Sequence, residues 1–256
     1  NEKMCCKNVH KGVIFVYGLK RNVAKLFGSR DKLFVLAMDH SQCGVVPGLE
    51  KPLNILSNLA DSKLDGFILN VGLASHMADE RLLNKKLILR TSFGGSSISS
   101  EYTNVHANHV SPETALMLGA DAVLMMFVMG GPDYKSIQQA ARDIDAYHAL
   151  GIPVIAEILC DDFSKTATYE VQANGARVAA ELGADVIKAF YTDNFHKVVE
   201  NCPAPIILAG GPKNKDIMQV ARDALDVGVK GFAFGRNIFQ SSDPKEVIEQ
   251  FDSLLG

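Results

Sequence analysis

The sequence has no long hydrophobic run. No apolar stretch reaches the about 18 residues that a bilayer-spanning helix requires, and the early stretch 12–18 leads straight into Lys20 and Arg21. A membrane span and a secretory leader within these residues are therefore not expected, although the start at Asn1 leaves a preceding leader open. Charge of one sign is missing too. A formal net charge of −3, with 21% charged residues and no basic cluster, supplies neither the field for counterion-releasing contacts with nucleic acid nor a polybasic segment for a membrane surface. Cysteine is scarce: Cys5, Cys6, Cys43, Cys160 and Cys202 are odd in number and form no C-x-x-C pair. That speaks against a disulfide framework and a zinc ribbon, and makes a reducing cytoplasm the expected location. Low-complexity linkers, charge blocks and repeats beyond a simple alternation of elements are absent, so one domain is expected.

What the sequence does contain is a succession of short runs rich in Val, Ile, Leu and Ala. Eight can be read, at 33–40, 66–72, 86–95, 122–131, 153–159, 185–193, 204–211 and 231–239. Near-continuous apolar runs of this length suit parallel strands covered on both faces. Between them, 134–150, 169–182, 215–227 and 244–255 carry apolar residues at three- and four-residue intervals, the pattern of outer helices. The α/β alternation, a length of 256 residues and 47% hydrophobic content point to a single (β/α)₈ TIM barrel over 33–256. Residues 1–32 form an N-terminal helical extension, with a helix near 19–27 that either closes the barrel bottom or meets another subunit. A doubly wound open sheet is the alternative, but it usually opens with a Gly-rich turn, which Met38-Asp39-His40 does not supply.

In such a barrel the site lies at the C-terminal ends of the strands. The polar residues closing apolar runs there are Asp39 and His40, Asn70, Arg90 and Ser92, Glu157 with Asp161, Lys188, Gly210 and Gly211, and Gly235 with Arg236. Lys188 lies inside Val-Ile-Lys-Ala-Phe-Tyr, where neither strand face meets bulk solvent, so it is a snorkelling strand-end residue or a functional amine. Desolvation favours the neutral form of an amine, which can attack a carbonyl and form an iminium, an electron sink for cleaving the neighbouring bond. Gly210-Gly211 ends the seventh run and Gly235-Arg236 the eighth. Glycines let the backbone approach phosphate oxygens and Arg236 can add a bidentate contact, although ordinary βα turns also use glycine. Asp39 is either an acid/base or a turn cap. Glu157 shares a strand face with Leu159 and is either a second acid/base or the ion-pair partner of Lys188 or Arg90. His40 and Arg90 complete the substrate-binding candidates. His106 and His109 form an H-x-x-H pair with no third ligand in sight, so no metal is expected, and Cys160 has no adjacent histidine to make it a nucleophile.

Taken together, Ala37-Met38-Asp39-His40, Val186-Ile187-Lys188, Leu208-Ala209-Gly210-Gly211-Pro212-Lys213 and Gly235-Arg236-Asn237-Ile238-Phe239-Gln240 resemble the archaeal-type class I fructose-bisphosphate aldolase family. Its barrel relatives include the autoinducer-2 processing thiolase and the aminodideoxyheptulosonate synthases. The resemblance covers residues 30–256. It implies that Lys188 is the Schiff-base lysine, that Asp39 is an acid/base or orienting carboxylate, and that Gly210, Gly211, Gly235 and Arg236 bind phosphate. It also implies a homo-oligomer, often a decamer, and no cofactor. One departure stands out: the aldolase and synthase members carry a proton-donating tyrosine near the end of the fifth strand, where this chain has Leu159. The expected activity is reversible aldol cleavage of a phosphorylated ketose through a lysine iminium. The alternatives are acyl transfer from a phosphorylated dione to coenzyme A and non-catalytic binding of a sugar phosphate.

Overall fold

The computed structural model describes residues 6–99, 107–211 and 216–256, with side chains in the first helix described from Tyr17 onward. The eight apolar runs form eight strands: β1 Leu33–Ala37, β2 Gly66–Leu69, β3 Lys86–Arg90, β4 Ala122–Met129, β5 Val154–Cys160, β6 Val186–Phe190, β7 Ile206–Ala209 and β8 Gly231–Phe234. All neighbours pair in parallel and β8 pairs with β1, Leu33 lying opposite Gly231, so the sheet closes into a barrel. The open-sheet alternative is thereby excluded. Among the helices, α1 spans Cys6–Phe27, α2 Pro52–Leu59, α3 Val71–Ala74, α4 Pro112–Met117, α5 Tyr134–Ala149, α6 Tyr169–Glu181, α7 Phe195–Glu200, α8 Ile217–Asp226, α9 Arg236–Phe239 and α10 Pro244–Leu255.

Except for β5, which runs one residue further, to Cys160, the strands are shorter at their C-terminal ends than their apolar runs suggest. The clearest case is the eighth, expected to reach residue 239. It stops at Phe234 and Arg236–Phe239 is helical, because Gly235 turns the chain and its carbonyl accepts from the N–H of Ile238 at 2.8 Å. The third run likewise ends at Arg90, and beyond it Ser92 makes an isolated bridge with Asn108.

Strand period two sorts each run into two cores. In β1, Phe34 and Leu36 face the helices while Leu33, Val35 and Ala37 face the lumen. The lumen cluster also takes in Ile68, Ile88, Leu124, Ile155, Val186, Ile207 and Ala233, part of the layered, packed interior usual for this architecture. Leu26 and Phe27, from the end of α1, are buried in that same cluster, with Val23 against it. Of the two roles expected for the N-terminal helix, closing the barrel bottom is the one observed, and the helix is longer than the 19–27 stretch read from sequence. The β8–β1 seam is covered by Phe34, Phe232, Phe234 and Phe251, whose rings meet mostly edge to face. Arg30 ties that seam together, reaching Asp65 at 2.9 Å and Asp252 at 2.5 Å.

A short repeat that the alternation hides also becomes visible. Leu-Gly-Ala-Asp occurs at 118–121 and again at 182–185. Asp65, Asp121 and Asp185 each stand immediately before an even-numbered strand and accept from a backbone N–H at the start of the preceding strand: Phe34 at 2.7 Å, Leu87 at 2.9 Å and Val154 at 2.8 Å. These carboxylates hold the N-terminal ends of the strands in register, leaving the opposite ends for chemistry.

Candidate active site

Where the apolar layers end, the lumen becomes charged. On β3 the inward residues run Ile88 then Arg90, on β5 Ile155, Glu157, Leu159, and on β6 Val186, Lys188, Phe190. The cavity above them has a volume of about 560 Å³. Nine of the residues expected from sequence line it, Asp39, His40, Arg90, Glu157, Lys188, Gly210, Gly211, Gly235 and Arg236, whereas Asn70, Ser92 and Asp161 are not on its wall. Lys188, Arg90 and Glu157 are 5%, 6% and 7% exposed, so these are lumen groups and not snorkelling ones.

They form one chain of alternating charge. Lys188 Nζ lies 2.6 Å from Glu157 Oε1, Glu157 Oε2 accepts from Arg90 Nη1 at 2.6 Å, and the same nitrogen donates to Asp39 Oδ2 at 2.8 Å. β5 and β6 place Glu157 and Lys188 directly opposite each other in register, which is why the contact is short. Burial by itself would push the Glu157 carboxyl up, but Lys188 and Arg90 outweigh it and hold the carboxyl down at about 2. Burial likewise works against the Arg90 cation, and the two carboxylates overcome it and raise its affinity for the proton. Of the readings the sequence left open for Glu157, the ion pair is the one with geometry: it faces both cations at once.

Two buried polar atoms at neighbouring strand ends have no hydrogen-bond partner among the described residues, His40 Nδ1 and Asn70 Oδ1. Leaving such an atom unpaired costs about 1–3 kcal/mol, and of the two residues His40 is the one on the cavity wall.

On the side of the lysine's strand away from β5, the ends of the neighbouring β7 and of β8 bring glycines to the wall. A Cβ on Gly210 would stand 2.7 Å from Asn237 Nδ2, and one on Gly235 would stand 2.8 Å from both the Ala37 carbonyl and His40 Cε1. Gly211 has open space but a φ of +62°, a conformation that favours glycine. Asn237, which the sequence reading passed over, fastens the two turns by donating to the Gly210 carbonyl at 2.8 Å; its position next to Arg236 in the β8 turn was the available signal. Pro212 and Lys213, the rest of the seventh-strand motif, lie outside the described residues, as does His106 of the H-x-x-H pair. The other member, His109, sits with Nε2 3.2 Å from the Phe93 carbonyl. Cys160 is buried and its thiol, pushed up by burial first and then by its bond to Asp161, is not on the cavity wall. Leu159 is on that wall, and no tyrosine joins it among the described residues.

Comparison with known proteins gives the family of the chain. Over 247 residues the chain is 33% identical to the 3-hydroxy-5-phosphonooxypentane-2,4-dione thiolase of Klebsiella pneumoniae, covering 93% of this chain and 81% of that protein. The Salmonella typhimurium thiolase of the same name is 32% identical over 248 residues, with 93% and 82% covered. Among solved structures, a Schiff-base-forming fructose-1,6-bisphosphate aldolase superposes with a TM-score of 0.82 at 28% identity, over 93% of this chain and 100% of that one. An archaeal fructose-1,6-bisphosphate aldolase, with its catalytic lysine covalently bound to the carbinolamine intermediate of the substrate, superposes with a TM-score of 0.81 at 26% identity, over 93% and 99%. The model of the DeoC/LacD aldolases matches residues 32–241, well over half of the chain. This closed barrel with a charged lumen belongs to the DeoC/LacD family of aldolases, whose relatives here are enzymes of the Schiff-base aldolase and thiolase type.

Proposed function

We propose that this enzyme cleaves a phosphorylated ketose reversibly through an iminium on Lys188. The observation that carries this reading is the Lys188 amine, buried in a cavity whose wall also takes in Gly210, Gly211, Gly235 and Arg236 from the next two strand ends. A substrate carbonyl meets the amine while its phosphate lies against the glycines and the guanidinium. Glu157 acts as the counter-ion that keeps the amine in place until the carbonyl arrives, and Arg90 orients Asp39 and Glu157 together. Asp39 and Arg90 then hold the substrate hydroxyls. Residues 33–256 are the catalytic domain in this reading and residues 1–32 its extension. Borohydride trapping with dihydroxyacetone phosphate, with and without EDTA, tests it. A reduced adduct mapped to Lys188 by peptide mass spectrometry, formed despite EDTA, is the expected result. Measurable binding of phosphorylated ketoses and diones without any adduct would move the protein to a binding role.

A second reading, acyl transfer from a phosphorylated dione to coenzyme A, has its own support: Leu159 stands where the aldolase members carry a phenol, and the curated relatives at 32–33% identity are dione thiolases. Consumption of the free thiol of coenzyme A in the presence of a phosphorylated dione, and not of a ketose, separates the two.

The reading places the protein in the cytoplasm as a homo-oligomer, with no nucleic-acid or membrane partner. No helix among the described residues is long and apolar enough to cross a membrane. Light scattering on the eluting protein gives the mass.

A further inference from the structure

An aldol cleavage needs one group that takes a hydroxyl proton and then returns it to carbon. The titratable side chains on the cavity wall, among the described residues, are Asp39, His40, Cys43, Arg90, Glu157, Lys188 and Arg236. Lys188 is consumed by the carbonyl. Glu157 has an oxygen on each of two cations, and a carboxyl held at about 2 has no proton to return near neutrality. Guanidinium groups do not deprotonate. Asp39 spends Oδ2 on Arg90, and the Cys43 thiol is pushed up, by burial first.

Besides the second oxygen of Asp39, His40 is left, and its setting differs from that of the carboxylates. The ring stands edge-on to Phe239 at 5.4 Å between centroids, and its Cε1 occupies the space that a side chain on Gly235 would need. Shape therefore holds the ring, and buried Nδ1 has no partner that ties it to one tautomer.

We propose that His40 is the catalytic acid/base of this cavity. The inference rests on the Schiff-base reading of Lys188. With the iminium formed and its water released, an imidazole nitrogen takes the proton of the hydroxyl beside the bond to be broken. That carbon–carbon pair moves onto the iminium, giving an enamine, and the hydroxyl-bearing carbon leaves as an aldehyde. The imidazolium returns its proton to the enamine carbon, and water then hydrolyses the iminium to free the ketone and the amine. Burial favours the neutral ring, with Asp39 and Glu157 acting to raise and Lys188 and Arg236 to lower its affinity for the proton, so a base is present at neutral pH.

The test uses dihydroxyacetone phosphate as probe, in D₂O, with exchange of its carbon-bound hydrogen followed by NMR and the lysine adduct followed by borohydride trapping. In His40→Gln the adduct on Lys188 should form to within about two-fold of wild type while exchange falls about 100-fold or more. Wild-type exchange should rise with pH through a midpoint below the ordinary imidazole value of 6.5, a limb missing from the variant. The wild-type profile decides the matter even if the variant is poorly folded: a profile without that limb overturns the proposal. So does exchange in His40→Gln within ten-fold of wild type, loss of the adduct in that folded variant, or loss of exchange in Asp39→Asn alone. An absence of any adduct in the wild-type protein, by contrast, is the failure of the Schiff-base reading itself.

Discussion

At the scale of single residues, four charges determine what the site can do. Lys188, Glu157, Arg90 and Asp39 alternate in sign within contacts of 2.6–2.8 Å, so removing Glu157 takes from buried Lys188 the carboxylate it contacts, and removing Arg90 does the same to Asp39 by taking away its cation. Glu157→Gln should therefore cost about 3–5 kcal/mol in chemical denaturation, in addition to any loss of turnover. The same carboxyl has an acid signature. Its proton affinity is depressed in the folded protein, so the native state binds fewer protons than the unfolded one between the ordinary value of 4.5 and about 2. The stabilisation of about 3 kcal/mol that follows is complete above pH 4.5 and is lost as the pH falls toward 2; acid titration of stability for wild type against Glu157→Gln should show that difference shrinking in this window. Lys188→Ala should abolish the borohydride adduct and lower turnover by at least about 10⁴-fold. Arg236→Ala should leave the adduct attainable at saturating substrate but raise KM for a phosphorylated substrate about 10- to 100-fold, the loss of one charge-assisted contact.

At the scale of elements, the two ends of each strand carry different duties. The N-terminal ends are held by Asp65, Asp121 and Asp185, each bonded to the N–H of a residue in the preceding strand. Asp185 also meets His148 Nε2 at 2.8 Å. Asp185→Ala should destabilise the fold by about 1–3 kcal/mol, from the Val154 N–H left without its acceptor, while trapping at Lys188 continues at the wild-type rate. The C-terminal ends are set by where each strand stops. Gly235 ends β8 four residues before the apolar pattern does, and only because Arg236–Phe239 is helical does Phe239 come round to the His40 ring. An apolar run reads the same whether it continues as strand or turns into a buried helix, so this boundary could not be read from residue type. The Leu-Gly-Ala-Asp repeat was in the sequence throughout, but its meaning, a carboxylate accepting across to the neighbouring strand, depends on the pairing of strands whose order the repeat does not state.

For the molecule as a whole, α1 caps the packed lumen: Leu26 and Phe27 enter its cluster from below. Phe27→Ala should cost about 3–5 kcal/mol while adduct formation in the folded fraction is unchanged, since the plug lies at the end of the lumen opposite Lys188. The succession of apolar runs was enough to determine the eight strands and the barrel they close, because parallel strands buried on both faces leave a near-continuous apolar record. The candidate residues could be named for the same reason: Lys188, Glu157 and Arg90 are charges inside apolar runs, and such charges are too costly to be incidental. What they do to one another was decided by the tertiary structure. Glu157 could be an acid or an ion-pair partner until the β5–β6 register set it against Lys188 and the barrel curvature brought Arg90 to its other oxygen. His40 read as one of several binding residues until closure placed it between Gly235 and Phe239, residues about 200 positions away, with Nδ1 unpaired. Those relations exist only between strands distant in the chain, and a proton's preference depends on neighbours within a few ångströms, which a linear sequence does not contain.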